Sequence, residues 1–289
     1  MVTHQPTNQP TNQQPTRKIM PTVHANNINI EYEIHGSGEP LLLIAGLGYD
    51  RWMWHKMVPG LAEHFQVITF DNRGVGGTDK PPGPYTAEML AGDTAGLLAA
   101  LGVQRAAVMG HSMGGYVAQA LVLSRPELVG QLILSATNFG GPRHIPVTQE
   151  ALAVLMDVTA EPLERLRRGI LISCAPGFGE ARPDVVEEWL AYRAQNPILP
   201  APYQAQLAVG LSLNSEETCF EPRLAQVQVP TLLLFGEHDK VVPPGNAELL
   251  AQRIPDSTIA ILPDAGHFYP LEQPAAAVAA MVDFLQRKT

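Results

Sequence analysis

The sequence predicts an α/β fold in which a mostly parallel central sheet is flanked by helices and interrupted by a helical insertion. Three observations predict it. Short, unbroken apolar runs alternate with stretches of helical periodicity, the pattern of strands covered on both faces. The alternation stops at about residue 142, gives way to helical periodicity and proline-rich joints, and resumes at Val229. One apolar run ends in a Gly-rich turn that opens a helix.

The elements follow in order. Residues 1–21 are rich in Gln, Thr, Asn and Pro and offer nothing to bury, so they predict a disordered tail. They contain no apolar stretch of the kind a secretory signal needs. Ile28 to Ile34 alternates apolar and polar positions, as a half-exposed strand does, and His35–Gly38 reads as a turn. The buried strands are expected at Leu41–Ala45, Gln66–Phe70, Ala106–Met109, Leu132–Leu134 and Thr231–Phe235, and a terminal strand at the apolar run Ile259–Leu262. Helices are expected at Arg51–Glu63, Ala87–Leu101 and Met113–Ser124, with an amphipathic one at Pro274–Arg287. Within 142–224 the helical pieces are Ala151–Val158, Leu163–Ile172 and Val185–Tyr192. The expected organisation is a tail (1–21), a core in two parts (22–141 and 225–289) and a helical cap (142–224).

Composition narrows the function. The 289 residues are 45% apolar, enough for a substantial core, and carry a formal charge of −9. With no basic run, the chain is a poor partner for nucleic acid or an anionic membrane. No apolar stretch is long enough to span a bilayer. The two cysteines, Cys174 and Cys219, lie far apart without CxxC spacing, which argues for free thiols over a disulfide framework or a zinc site. A soluble cytoplasmic protein is expected.

Gly110-His111-Ser112-Met113-Gly114 joins an expected strand to an expected helix. A serine on so sharp a turn needs an uncommon backbone conformation, and glycine two residues to either side relieves the crowding. Gly115 would let the helix pack closely on the sheet. The turn would lift Oγ above a helix N-terminus, where backbone N–H groups favour a developing oxyanion. A plain glycine turn in which Ser112 caps the helix is the alternative.

A nucleophilic serine needs a base, and histidine titrates nearest neutrality. Of nine histidines, His267 stands out. It follows the apolar run Ile259–Leu262 in the loop Pro263-Asp264-Ala265-Gly266-His267. Loops at the carboxyl ends of strands form the sites of open α/β sheets. The orienting carboxylate should leave a neighbouring strand, and Asp239 in Gly236-Glu237-His238-Asp239 fits, with Glu237 and Asp264 as rivals. Serine, acid and base then occur in the order Ser112, Asp239, His267.

On these residues the sequence resembles the α/β-hydrolase fold family, and within it small bacterial carboxylesterases, enol-lactonases and cofactor-independent haloperoxidases. Asp71-Asn72-Arg73-Gly74-Val75-Gly76-Gly77-Thr78 is similar to the family's Asp-x-Arg-Gly-x-Gly-x-Ser loop, which implies structural roles for Asp71 and Arg73. Where the family usually carries His-Gly after its first core strand, this chain has Ala45-Gly46-Leu47. The resemblance implies Leu47 (or Gly46) and Met113 as backbone donors of an oxyanion hole. It also implies an ester, lactone or C–C bond hydrolase acting on a small molecule, with no metal and no cofactor. Serine at 112 argues against the dehalogenases and epoxide hydrolases of the family, which would carry aspartate there. Val241, Phe268 and Leu47, with Leu155, Ile170, Leu171 and Trp189 of the insertion, are candidate apolar pocket residues. Arg165, Arg167 and Arg168 form the one cationic cluster that could meet a carboxylate substrate, although a solvated helix face explains them as well.

Two other functions compete. Gly46-Leu47-Gly48 imitates the start of a dinucleotide-binding motif, but Arg51 occupies the third glycine position. A non-catalytic binding protein could also keep the fold, and a complete Ser, Asp and His set argues against it.

Overall fold

The computed structural model describes residues 20–157, 159 and 161–287. Most of the expected 1–21 tail lies outside them. Among the described residues, eight strands form one sheet: β1 (Thr22–Ala25), β2 (Ile28–His35), β3 (Pro40–Ile44), β4 (Gln66–Phe70), β5 (Ala106–His111), β6 (Val129–Ser135), β7 (Thr231–Gly236) and β8 (Ser257–Leu262). Their order is β1-β2-β4-β3-β5-β6-β7-β8. β1 and β2 are antiparallel to their neighbours, and β4, β3, β5, β6, β7 and β8 run parallel. The chain turns from β1 into β2 on Asn26 and Asn27, both at positive φ (49° and 61°), as a tight two-residue hairpin demands.

Alternation along each buried strand divides the core in two. On β3, Leu42 and Ile44 face one apolar cluster, while Leu41 and Leu43 face the other. On β7, Leu233 and Phe235 join the first cluster and Leu232 and Leu234 the second. Each such leucine, fully removed from water, contributes roughly 1.5–3 kcal/mol of transfer free energy. Helices Ala87–Ala100 and Met113–Ser124 cover the first face, and helix Pro274–Leu285 helps cover the second.

The expected single helix over Arg51–Glu63 is not formed. A 3₁₀ turn at Arg51–Trp54, capped by Asp50 on the Trp52 N–H, is followed by one α-turn at Val58–Leu61. Pro59, which has no N–H to donate, and Gly60 explain why no longer helix propagates there. Between β6 and β7 the described elements are all helical, the longer ones being Gln149–Met156, Pro162–Ser173, Pro183–Gln195 and Pro200–Leu211. Three of these four begin on a proline at the first helical position, where its missing N–H costs nothing. No described helix is long and apolar enough to cross a membrane. Cys174 and Cys219 are free and buried.

Candidate active site

β3, β5, β6, β7 and β8 all end at one edge of the sheet, and the candidate residues lie in the loops that leave it. Ser112 sits between β5 and helix Met113–Ser124 at φ 55° and ψ −120°, a strained conformation for a residue with a side chain. Neighbouring glycines make that turn possible. A methyl group on Gly110 would overlap the Gly114 carbonyl, one on Gly114 would overlap the Ile44 carbonyl, and one on Gly115 would overlap the Thr137 side chain. The Ser112 backbone is tied down from both sides, its N–H donating to Ser135 O (2.9 Å) and its carbonyl accepting from Thr137 Oγ1 (2.8 Å). The Ser112 side chain makes no capping hydrogen bond to the helix, so the capping alternative does not hold.

Asp239 and His267 come together. Asp239 Oδ2 accepts from His267 Nδ1 at 2.8 Å, while Oδ1 accepts the N–H groups of Val241 (2.8 Å) and Val242 (2.7 Å). Both side chains are almost wholly buried, which strengthens each of these bonds relative to water. Glu237 and Asp264, the rival acids, are exposed. With Nδ1 engaged by Asp239, Nε2 is the ring nitrogen left open. The His267 ring lies 4.9 Å, centroid to centroid, from that of His111, the residue preceding Ser112. His111 Nδ1 bonds Ser135 Oγ (2.7 Å), which in turn bonds the Tyr269 hydroxyl. Burial, seconded by the charge of His267, holds His111 well below the usual imidazole range, so it stays neutral.

The loop after β3 faces the elbow, since a methyl group on Gly46 would lie 3.2 Å from Ser112 Cβ. Among the described residues the N–H groups of Gly46, Leu47 and Met113 donate to no protein acceptor, whereas Gly48 N–H donates to Gln206 Oε1 (2.8 Å). Gln206 also donates from Nε2 to Arg73 O (2.8 Å), and Asn72 Nδ2 donates to Ala45 O (3.0 Å). The loop is thus fixed by Asn72 of the Asp71–Thr78 segment and by Gln206 and Arg193 of the insertion, the last donating from Nη2 to Gly48 O (3.0 Å). Asp71 is wholly buried and accepts from Arg51 and Gly77, and Arg73 forms a two-pronged ion pair with Asp93 (2.6 and 2.5 Å). Arg51 also pairs with Glu31 at 2.6 Å, so the position where a dinucleotide motif needs glycine holds an anchored guanidinium.

The pocket candidates separate. Phe268 packs edge-on against Trp189 (4.5 Å between centroids), Tyr49 (5.2 Å) and His267 (5.4 Å), forming an aromatic wall beside the histidine. Ile170 is buried in the same apolar cluster. Leu155 and Leu171, by contrast and contrary to expectation, are 42% and 39% exposed. Val241 packs at the margin of the first core cluster and serves Asp239 through its backbone. A cleft of about 1060 Å³ lies elsewhere, lined by Glu31, Arg51, Trp52, Asp71 and Tyr192 among others, and none of Ser112, Asp239 and His267 borders it. Gln206, Tyr49 and Glu272 were not legible as site residues, because each acts through a partner in a distant part of the chain.

Fold and site together define a hydrolase of the α/β class. Residues 39–274 match the family model described as alpha/beta hydrolase fold, and the chain belongs to that family. A relative from Mycobacterium tuberculosis, provisionally named a non-heme bromoperoxidase, is 34% identical over 263 residues, covering 89% of this chain and 97% of its own. The 3-oxoadipate enol-lactonase 2 of Acinetobacter baylyi is 28% identical over 270 residues, covering 92% of this chain and 96% of its own. Among solved structures, a thermophilic esterase from Thermogutta terrifontis superposes with a TM-score of 0.74 at 32% identity, covering 93% of this chain and 98% of that one.

Proposed function

We propose that the chain is a carboxylesterase that cleaves short- to medium-chain esters through an acyl-enzyme on Ser112. The observation that carries this reading is the coincidence at one sheet edge of a strained serine, a buried Asp239–His267 pair and unengaged amides that include those of Leu47 and Met113. His267 Nε2 takes the Ser112 proton as Oγ attacks the substrate carbonyl, and Asp239 holds the imidazole tautomer and stabilises its charged form. The N–H groups of Leu47 and Met113 receive the oxyanion. His267 then returns the proton to the departing alcohol, and water releases the acid by the same steps in reverse. The ring cluster of Tyr49, Trp189 and Phe268 favours an uncharged, apolar acyl or alcohol group. Residues 142–224 act as the cap over this site. No step requires a metal or cofactor.

A lactonase reading has one observation in its favour. Arg167 and Arg168 pair with Glu187 (2.8 Å) and Asp157 (2.7 Å), whereas Arg165 has no carboxylate partner among the described residues. An uncommitted guanidinium on the insertion suits a lactone that carries a carboxylate.

A panel of p-nitrophenyl esters run beside uncharged and carboxylated lactones tests both. Turnover of the acetate to octanoate esters, with lactones slower, is the expected result, and a fluorophosphonate should label the wild type but not Ser112→Ala. Failure on every ester would overturn the esterase reading.

A further inference from the structure

Glu272 is a buried carboxyl that the proposed chemistry does not use. It closes the short helix Tyr269–Glu272, five residues beyond the histidine. Its Oε2 accepts from Ala175 N (2.6 Å) and Gly266 N (3.2 Å), and its Oε1 lies 3.1 Å from the same Gly266 N. Ala175 follows the C-terminal end of insertion helix Pro162–Ser173, whereas Gly266 directly precedes His267. A further bond joins the same two segments, His267 N–H donating to Ser173 O at 2.7 Å. The approach is close enough that a methyl group on Gly266 would lie 2.5 Å from Ser173 O.

We infer that Glu272 is a positioning residue, which clamps the His267 loop to the end of insertion helix Pro162–Ser173 by accepting one amide from each. The inference rests on the proposed role of His267 as the base. It follows that the insertion is part of the frame that sets the buried imidazole, besides any part it takes in covering substrate. Without the carboxyl, two buried amides lose their acceptor, and the remaining ties of the loop to the insertion are the Ser173 carbonyl and the Trp189–Phe268 ring contact.

The clamp also carries charge into the site. The groups facing Glu272 are Asp239 from the loop after β7, His267 from the loop after β8, and Cys174 from the insertion, with Tyr269 on its own helix. Burial pushes the Glu272 carboxyl up to about 7, against the opposing pull of the Ala175 and Gly266 amides and of His267. Its ionisation therefore falls near neutrality, and the ionised form favours a charged imidazolium.

Glu272→Ala and Glu272→Gln, measured by ester kinetics across pH and by amide hydrogen exchange, test the clamp. Alanine should lower kcat on the order of 10²-fold, as a misplaced catalytic group does, with KM held within about threefold. It should also speed exchange at Gly266 and Ala175. Glutamine keeps an oxygen for the two amides, so it should recover most of the rate and of the protection. Because it cannot ionise, the acid limb of its kcat/KM profile should move to lower pH, which a purely structural role would not produce. Wild-type kcat in Glu272→Ala with unchanged exchange at both amides would overturn the inference. If Glu272→Ala is too unstable for kinetics, the Glu272→Gln profile decides, and an acid limb at the wild-type pH would overturn the inference. Fluorophosphonate labelling of the wild type judges the esterase reading separately.

Discussion

Asp239→Asn should nearly abolish turnover while leaving the fold intact, and the geometry says why. Oδ1 of Asp239 sits between two backbone donors, Val241 N at 2.8 Å and Val242 N at 2.7 Å. An asparagine has one acceptor oxygen, and the place where two N–H groups converge is the place it must occupy. The NH₂ group is then turned toward His267 Nδ1, where Oδ2 now accepts at 2.8 Å. Facing a donor, Nδ1 must give up its proton, and the imidazole adopts the tautomer protonated on Nε2. That nitrogen can no longer accept the proton of Ser112. An orienting acid changed to its amide in the same logical position costs about 10⁴ in kcat, which corresponds to roughly 5.4 kcal/mol of barrier. Stability should hardly change, because the side chain keeps its volume and two of its three hydrogen bonds. Initial rates on p-nitrophenyl butyrate, with a thermal melt as the control for folding, provide the assay. A variant retaining more than a tenth of wild-type kcat would refute Asp239 as the orienting acid and return attention to Glu237 and Asp264.

Two further outcomes follow from the packing and the titration. Gly114→Ala should destabilise the protein by roughly 1–3 kcal/mol and lower kcat, because its methyl group would meet the Ile44 and Ala45 carbonyls, backbone atoms that cannot rotate away. Gly169→Ala, whose methyl would make an ordinary 3.8 Å contact with Leu155 inside a helix, should instead be neutral or raise Tm, and equal melting of the two variants would contradict both expectations. Glu272→Gln should gain stability relative to wild type as pH rises. A carboxyl raised from 4.5 to about 7 in the native protein binds its proton more tightly folded than unfolded, so its contribution is intact below about pH 4.5 and is lost progressively up to about pH 7. At pH 8 that loss amounts to roughly 3 kcal/mol, absent in the glutamine variant, and melts at pH 5 and 8 showing a constant difference between the two proteins would disprove it.

What could be read from the sequence is what a short stretch of chain determines by itself. The strand Thr231–Gly236 is buried along its whole length, so its apolar run had to be continuous, and the elbow needed glycine at 110 and 114 because two backbones meet there. Asp239 was legible because it follows such a strand, and His267 because it follows the apolar run of β8, whose Ile259 and Ile261 are exposed in the fold, at the same sheet edge. β1 went unread because Thr22–Ala25 is half-exposed and has no apolar run. Its signal was the Asn26-Asn27 pair, two residues that tolerate the positive φ of a tight hairpin. The helix expected over Arg51–Glu63 failed for a local reason that was present in the sequence, the Pro59-Gly60 step.

The remaining site residues depend on contacts between segments far apart in the chain, and no periodicity encodes those. Gln206 reaches the loop after β3 from 158 positions away, and Glu272 reaches Ala175 across 97. Both join the helical insertion to a loop that carries proposed chemistry, one beside the oxyanion donors and the other beside the base. Trp189 and Phe268 make the same kind of junction through their rings. The insertion therefore bears on the site through several polar links and ring contacts, those made by Gln206, Glu272 and Trp189 each ending one residue from a proposed catalytic group. Exchanging helices 162–173 and 200–211 for those of a relative should accordingly alter kcat as well as substrate preference, whereas a cover that merely shaped the pocket would alter preference alone.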